Sequence, residues 1–505
     1  MDIYFVYYMS IKERNMYLCG IKQCVMQEII GRKSERKEFE RLYNSGRPEF
    51  VAVYGRRRVG KTFLVREHFA GRFAFYHTAI SPADFQGKKK ELKREQIRAF
   101  CSSIQQFGGD WDTMPADWFE AFACLRALLE QQGDSGRKVV FIDELPWMDS
   151  ERSGFVSALE HFWNGWGAGR TDLVLIVCGS AASWMNDKII NNTGGLYGRL
   201  TYEMHLSPFN LAECEQFYES RGISMDRNEQ VQSYMVFGGI PYYLNYLRPE
   251  NSLAENIDNL FFAKDGRLQK EFDRLYGSLY SNSEKYMEIV RLLATKRGGF
   301  TRKEIAEKTS IAYNGLLSKM LQSLEKSDFV TAYTYFGGSM RNVYYKLVDR
   351  LSLFHLSFLD GKRPVRQAFW TKNIRSPELN TWRGLAFEEV CLLHETQIKK
   401  ALGFGAVDAI VAPWRSKVGE AQVDLLFDRS DRVVNLCEMK FVADEFSIDK
   451  DYDAELRRKV ERFVEDTSCK KSVHLSLVTT YGLSRNKYSN RFQSVVTMDD
   501  LFAND

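Results

Sequence analysis

Five short runs rich in apolar and aromatic residues punctuate the first two hundred positions: 50–54 (Phe-Val-Ala-Val-Tyr), 73–78, 138–142, 173–178 and 202–206. Runs of this length that are apolar throughout mark strands covered on both faces. Between them, apolar residues recur three and four positions apart, the pattern of a helix packed along one side. The alternation predicts an α/β unit over residues 26–206, a parallel sheet with helices on both faces. From Pro208 to about residue 280 the pattern is helical, broken at Gly238-Gly239-Ile240-Pro241. That predicts a helical unit over 207–280.

Residues 281–349 change character. A helix is expected over 285–296. Thr301-Arg302-Lys303-Glu304 has the form of a capping box that opens a second, short helix. A third helix is expected over 313–326. Strand-like runs at 330–335 and 343–347 face each other across Gly337-Gly338. The order is that of a winged helix-turn-helix. Residues 350–378 read as a helix and an irregular linker with Lys362, Arg363, Arg366 and Lys372. Residues 379–505 open with a helix and return to strand–helix alternation. Residues 1–25 are aromatic-rich but interrupted by Lys12, Glu13, Arg14 and Lys22. They lack the charged start and apolar core of a signal peptide. They are expected to be a poorly structured extension.

Composition adjusts this picture little. At 505 residues, 44% apolar and 27% charged, the chain has room for three or four globular domains. A net charge of +4 is too small to imply nucleic acid, so any such contact must come from local patches. Nine cysteines are scattered without a C-x-x-C pair, which suits free thiols in a reducing, cytoplasmic setting. No run reaches the ~18–20 apolar residues of a membrane span, so no membrane contact is expected. The seven histidines lack metal-site spacing, no G-x-S-x-G elbow is present, and no internal repeat is visible.

The chemistry concentrates first at Gly55-Arg56-Arg57-Arg58-Val59-Gly60-Lys61-Thr62, which meets the pattern G-x-x-x-x-G-K-[ST] at every fixed position. It follows a predicted strand and precedes a predicted helix beginning at Phe63. Such a loop closes backbone N–H groups around phosphate oxygens and adds the positive end of a helix dipole. Lys61 is expected on the β- and γ-phosphates of ATP, and Thr62 on Mg²⁺. The strand at 138–142 ends in Asp143-Glu144, the form of a Walker B segment. Asp143 is expected to hold the metal, and Glu144 to polarise the attacking water. Ser180, after the strand at 173–178, is either a sensor of the terminal phosphate or a plain turn serine. Arg199 is either an arginine finger, toward its own or a neighbouring subunit's phosphate, or a surface arginine. A finger acting in trans would require a homo-oligomer. Arg56, Arg57 and Arg58 contact phosphates or the domain behind, or are simply solvated.

Ile30-Gly31-Arg32, the phosphate loop, Phe-Ile-Asp-Glu-Leu-Pro-Trp (141–147), Leu-Ser-Pro-Phe (206–209) and Gly-Gly-Ile-Pro-Tyr-Tyr-Leu (238–244) stand in that order. Together they resemble the archaeal-type prokaryotic ATPases, a branch of the AAA+/STAND P-loop NTPases. The resemblance covers residues 27 to about 250. It implies that Gly31 and Arg32 border the adenine pocket and that Gly239 and Pro241 lie in the helical lid. Members of that group commonly carry a winged helix and a C-terminal nuclease-like domain. Here the winged helix offers Lys319, Lys326, Arg341 and Lys346 to DNA, with Glu325 and Asp328 opposing them. In the STAND branch such a domain instead packs on the ATPase and relays its nucleotide state.

In the C-terminal unit, Glu388 falls on a helix, Asp424 on a strand, and Glu438-Met439-Lys440 closes the strand begun at 433. The order resembles the PD-(D/E)XK nucleases, although Val423 stands where the family name has proline. Asp424 and Glu438 could share a second divalent metal, with Glu388 completing its shell and Lys440 orienting water. Two functions follow. One is an ATPase coupled to a metal-dependent nuclease-like or DNA-binding domain. The other is a nucleotide-operated switch that binds a protein partner, with these acids structural.

Overall fold

The computed structural model describes residues 28–504, apart from 83, 84, 86–88, 112, 134, 135, 151, 281, 340 and 362–366. The expected N-terminal extension and the linker residues Lys362, Arg363 and Arg366 therefore lie outside the described residues.

The five predicted strands form one parallel sheet: β1 Glu49–Tyr54, β2 Phe73–Thr78, β3 Lys138–Asp143, β4 Leu173–Gly179 and β5 Tyr202–His205, in spatial order β2-β3-β4-β1-β5. Alternate residues pack opposite faces, as the pleat requires. Phe50, Ala52, Val140, Leu175 and Val177 belong to one core cluster. Val51, Val53, Phe141, Ile176 and Cys178 belong to the other. Helices α1 Lys33–Tyr43 and α2 Lys61–His68 cover the second face through Phe39, Leu42, Leu64 and Val65. Helices α3 Lys89–Gln106, α4 Trp118–Gln131 and α5 Phe155–Gly165 cover the first through Phe100, Trp118, Phe122 and Phe162.

Helices α6 Leu211–Ser220, α7 Arg227–Phe237 and α8 Glu271–Leu279 form the helical unit expected to be the lid. Capping boxes at Asn210/Glu213 and Asp226/Glu229 start the first two. The segments 206–209 and 238–241 meet: Phe209 N donates to Gly239 O at 2.8 Å. Gly239 has φ +65°, and a Cβ there would fall 2.1 Å from Phe209 O. A side chain at this position would push the two segments apart.

Helices α9 Ser283–Ala294, α10 Arg302–Lys308 and α11 Gly315–Lys326 follow in the expected order. A three-stranded antiparallel sheet accompanies them, β6 Phe300–Thr301, β7 Val330–Tyr333 and β8 Tyr344–Leu347. The short β6 was not predicted. Residues 350–378 do more than connect. Helix α12 Arg350–Phe358 and helix α13 Phe369–Asn373 bury Leu351, Phe354, Phe358 and Trp370, with Phe354 packed on Phe261 and Phe262 and Phe369 on Phe262.

The C-terminal unit runs from α14 Pro377–Leu393 through β9 Ala409–Arg415, β10 Gln422–Arg429, β11 Val433–Lys440, α15 Lys450–Thr467, β12 Ser472–Thr479 and β13 Ser494–Thr497. Its sheet is ordered β13-β12-β11-β10-β9, with β9 to β11 antiparallel and β11 to β13 parallel. Helix α15 packs one face through Leu456 and Phe463. Helix α14 packs the other through Phe387 and Val390, and touches lid helix α7 as well.

Candidate nucleotide site and candidate acidic site

Parallel strands all point their C-terminal ends the same way, and the predicted nucleotide residues gather at that edge. The loop from Gly55 to Gly60 leaves β1 and enters α2. Gly55 has φ +137°, and a Cβ there would lie 2.4 Å from Leu206 O. Gly60, at φ +95°, caps α2 with no side-chain partner for the first-turn N–H groups, which leaves them available to an anion. Lys61 is buried, and its Nζ donates to Gly55 O and Arg56 O, each at 2.9 Å. The loop is thus closed around its own ammonium.

Thr62 Oγ1 donates to Asp143 Oδ2 at 2.9 Å, and Glu144 N donates to Asp143 Oδ1 at 3.1 Å. Burial, with Glu144 adding, pushes the Asp143 carboxyl up to about 6, while Thr62 and Lys61 pull the other way. Glu144 sits in the left-handed region at φ 55°. A non-glycine residue persists there only when its surroundings hold it, and such residues cluster at active sites. Here the hold comes from Ser180, whose N donates to Glu144 Oε2 at 3.0 Å and whose Oγ donates to Oε1. Strand β4 lies between β1 and β3, which brings Ser180 between the phosphate loop and the acids. In this arrangement Ser180 grips Glu144. A divalent cation fits here: Thr62 and Asp143 offer hard oxygen donors 2.9 Å apart, and a buried carboxyl of raised pKa gains from a positive neighbour.

The other predicted residues fall in different places. Arg32 is buried with φ 54°. Its N donates to Glu213 Oε1 at 2.9 Å and its Nη2 to Ser207 O at 2.7 Å. A Cβ on Gly31 would collide with the Glu213 side chain at 2.5 Å. This pair therefore fastens α1 to the lid. Arg57 stacks over Trp147 at 6.0 Å, and Phe63 is 36% exposed. Val59 is buried in the core. Arg56 and Arg58 turn away from the loop's interior. Arg56 pairs with Asp349 at the end of the β7–β8 unit. Arg58 pairs with Glu271 of lid helix α8 and stacks over Tyr242 at 4.4 Å. Arg199 is exposed at the N-terminal edge of the sheet, two residues before Thr201, whose N donates to Phe50 O at 2.9 Å. About five residues of β1, roughly 16 Å, separate Phe50 from Gly55. Arg199 is remote from its own chain's phosphate loop.

The C-terminal acids come near one another without converging. Among the described residues no group of three or more His, Cys, Asp or Glu could hold a metal. The reason lies in the sheet. The register between β9 and β10 shifts between Val423 and Leu426. This bulge puts Val423 and Leu426 on the α15 face and Leu425 on the α14 face. Asp424 lines a cavity with Glu389, Leu392 and Leu393 on the α14 side. Glu438 lies on the α15 side, held by Tyr452 Oη at 3.1 Å and by Lys459 Nζ. Lys440 stacks over Tyr452 at 5.0 Å. Glu388 accepts from Arg297 Nη1 at 2.6 Å. Burial pushes Asp424 and Glu388 above the ordinary carboxylate range, with Lys346 opposing it most at the first and Arg297 at the second.

Sequence reading missed Asp349, Glu271, Ser180's grip on Glu144, and Lys459. The first two lie more than two hundred residues from their arginine partners, and no local pattern marks them. The expected third helix of the winged unit, α11, turns its C-terminal end to the parallel-sheet unit: Lys326 pairs with Asp187 at 3.5 Å and Ser323 meets Ser183 at 3.2 Å. Its other end exposes Tyr313, Leu316 and Lys319.

Residues 30–247 match the family model of the ATPase domain predominantly from Archaea. Over 369 residues the chain is 23% identical to an uncharacterized protein of Methanocaldococcus jannaschii, covering 72% of this chain and 76% of that protein. Among solved structures it is similar to the Walker-type ATPase of Pyrococcus abyssi at 20% identity and a TM-score of 0.49, covering 65% of this chain and 96% of that one. It is also similar to the ORC2 protein of Aeropyrum pernix, solved in ADPNP–ADP complexes, at 16% identity and a TM-score of 0.39, covering 65% and 93%. No described helix is long and apolar enough to cross a membrane.

Proposed function

We propose that the chain hydrolyses ATP at the 55–62 loop and uses nucleotide state to set the posture of the units that follow the ATPase domain. The observation that carries the reading is the junction of Lys61, Thr62 and Asp143 at one edge of a parallel sheet. Lys61 would leave the carbonyls of Gly55 and Arg56 for the β- and γ-phosphates. The α2 N-terminus would receive phosphate oxygens. Mg²⁺, held by Thr62 and Asp143, would supply charge neutralisation at those oxygens. Glu144 would take the proton of the attacking water once released from Ser180. The test is turnover. Lys61→Ala should abolish nucleotide binding, whereas Glu144→Gln should bind ATP and hydrolyse it at least about a hundredfold more slowly. Unchanged turnover in Lys61→Ala refutes the site.

For the output we favour a switch over a cutter. The element order of residues 283–347 supports a winged helix, and the αβββαβ order of the C-terminal unit, extended by the last strand β13, supports a nuclease-like fold. In this conformation, however, Arg297 engages Glu388 and Lys459 engages Glu438, and α11 is half docked on the ATPase. We read these units as binding nucleic acid or a protein partner under nucleotide control. DNA cleavage with Mg²⁺ or Mn²⁺ that is lost in Asp424→Ala would reverse this preference.

A further inference from the structure

The phosphate loop is held from outside the ATPase domain. The Arg56 guanidinium is 3% exposed, stacks over Phe329 at 4.8 Å and pairs with Asp349. Asp349 is fixed in turn. Its Oδ2 accepts from Ser352 N at 2.9 Å and from Ser352 Oγ, and Ser352 Oγ lies 3.2 Å from Tyr276 Oη. A buried guanidinium needs its carboxylate, so the position of Arg56 depends on Asp349. The same residue meets the catalytic lysine through its backbone, since Arg56 O is one of the two acceptors of Lys61. Lys61 cannot serve that carbonyl and a phosphate at once. Nucleotide binding therefore changes the bonding of Arg56 on one side while Asp349 holds it on the other.

The next residue continues the chain. Arg350 is 3% exposed; its Nε donates to Val348 O at 2.8 Å and its Nη2 reaches Glu389 Oε2 at 3.5 Å. Lys346 of β8 binds the same carboxylate. Burial alone would raise Glu389, but Lys346 and Arg350 hold it below the ordinary range, so it is a carboxylate paired with two cations. Glu389 follows Glu388 on α14, the helix that packs against both the lid and the C-terminal sheet.

We propose that Asp349 is a positioning residue of the nucleotide site, acting through Arg56, and that Asp349-Arg350 is the step by which nucleotide occupancy reaches helix α14. The proposal rests on the ATPase reading above and adds to it a route and two residues. Lys61 leaving Arg56 O would shift Arg56, then the paired Asp349, and then Arg350 and Glu389 beside it.

The experiment uses the full chain with a fluorescent ATP analogue and with hydrogen exchange at residues 377–393 in the presence and absence of ATPγS. In the wild type, ATPγS should change exchange across that helix. Asp349→Asn should weaken nucleotide binding at least about tenfold, and Arg56→Met combined with it should weaken binding no further. If Asp349→Asn does not fold, Ser352→Ala, which strips one hydrogen bond from Asp349, should weaken binding a few-fold. Arg350→Met should bind nucleotide within about twofold of wild type yet lose the nucleotide-dependent change at 377–393. A folded Asp349→Asn with wild-type affinity overturns the positioning role. An Arg350→Met variant that keeps the exchange change overturns the route. If the wild type binds the analogue and helix α14 shows no response, this proposal falls while the ATPase reading stands. If the wild type binds no nucleotide, both fall.

Discussion

Gly55 shows how much of the site depends on a missing side chain. Its φ of +137°, and a Leu206 O only 2.4 Å from where a Cβ would stand, leave alanine no acceptable conformation. Gly55→Ala is expected to abolish nucleotide binding while the chain stays folded, as a nucleotide titration followed by circular dichroism would show. Asp143 carries a second residue-level consequence. Its carboxyl is raised, by burial first, from the ordinary value of 3.8 to about 6. The folded protein therefore holds this proton more tightly than the unfolded chain. The nucleotide-free fold loses stability from this group as pH rises through that interval. A cation at Asp143 and Thr62 should restore it. Mg²⁺ should then raise the melting temperature more at about pH 7.5 than at about pH 5, and Asp143→Asn should remove the difference.

The ATPase elements were legible because each reports its surroundings locally. β1, β3 and β4 are apolar through their middles since both faces are covered, with Glu49, Lys138 and Asp143 only at strand ends, and their predicted limits differ from the observed ones by a residue. The loop and Asp143-Glu144 could be singled out for a similar reason, because the phosphate and metal chemistry proposed for them calls for fixed residue types at fixed spacing. Edges and seams were not. β9, at the edge of the C-terminal sheet, mixes exposed Ile410 and Val411 with Pro413 and buried Trp414, so no clean period appears. The bulge that parts Asp424 from Glu438 adds a single residue to one strand and leaves no mark in composition. Between elements, pairs such as Arg56–Asp349 or Arg58–Glu271 follow only from the packed fold. One seam is open to titration. His205, after Met204 on β5, bonds Asp328 at 3.1 Å, and that bond holds it above the ordinary histidine value of 6.5 while burial opposes. Lys61 also lowers it, and the Tyr54 ring packs against it at a tilt. A raised histidine stabilises fully below its unfolded value, and the gain fades as pH climbs through the folded value. Hydrogen exchange at residues 202–206 and 327–331 should accordingly quicken as pH rises above 6.5, beyond the intrinsic base-catalysed increase. In His205→Gln that extra rise should vanish.

At the scale of the molecule, the second core cluster is continuous from Phe39 and Val51 of the ATPase, through Phe261 and Phe354, to Phe387, Phe427 and Val478 of the C-terminal unit. Units that share a core are expected to melt together rather than as separate domains. Phe354 sits at the crossing, with ring centroids of Phe261 at 4.7 Å, Phe358 at 5.2 Å, Trp370 at 5.5 Å and Trp382 at 5.7 Å. Truncating a fully buried phenylalanine costs about 3–5 kcal/mol. Unfolding entropy grows with the number of residues that unfold together, so the same loss lowers the melting temperature less in a larger unit. If the described chain unfolds as one, Phe354→Ala should lower a single calorimetric transition by roughly 1 °C per kcal/mol, about 3–5 °C in all. If the C-terminal unit melts alone, it should separate as its own transition and fall by roughly 2–4 °C per kcal/mol, about 10 °C in all. The shared cluster predicts the first result: one peak, modestly shifted, with ATPase activity and C-terminal structure lost at the same temperature.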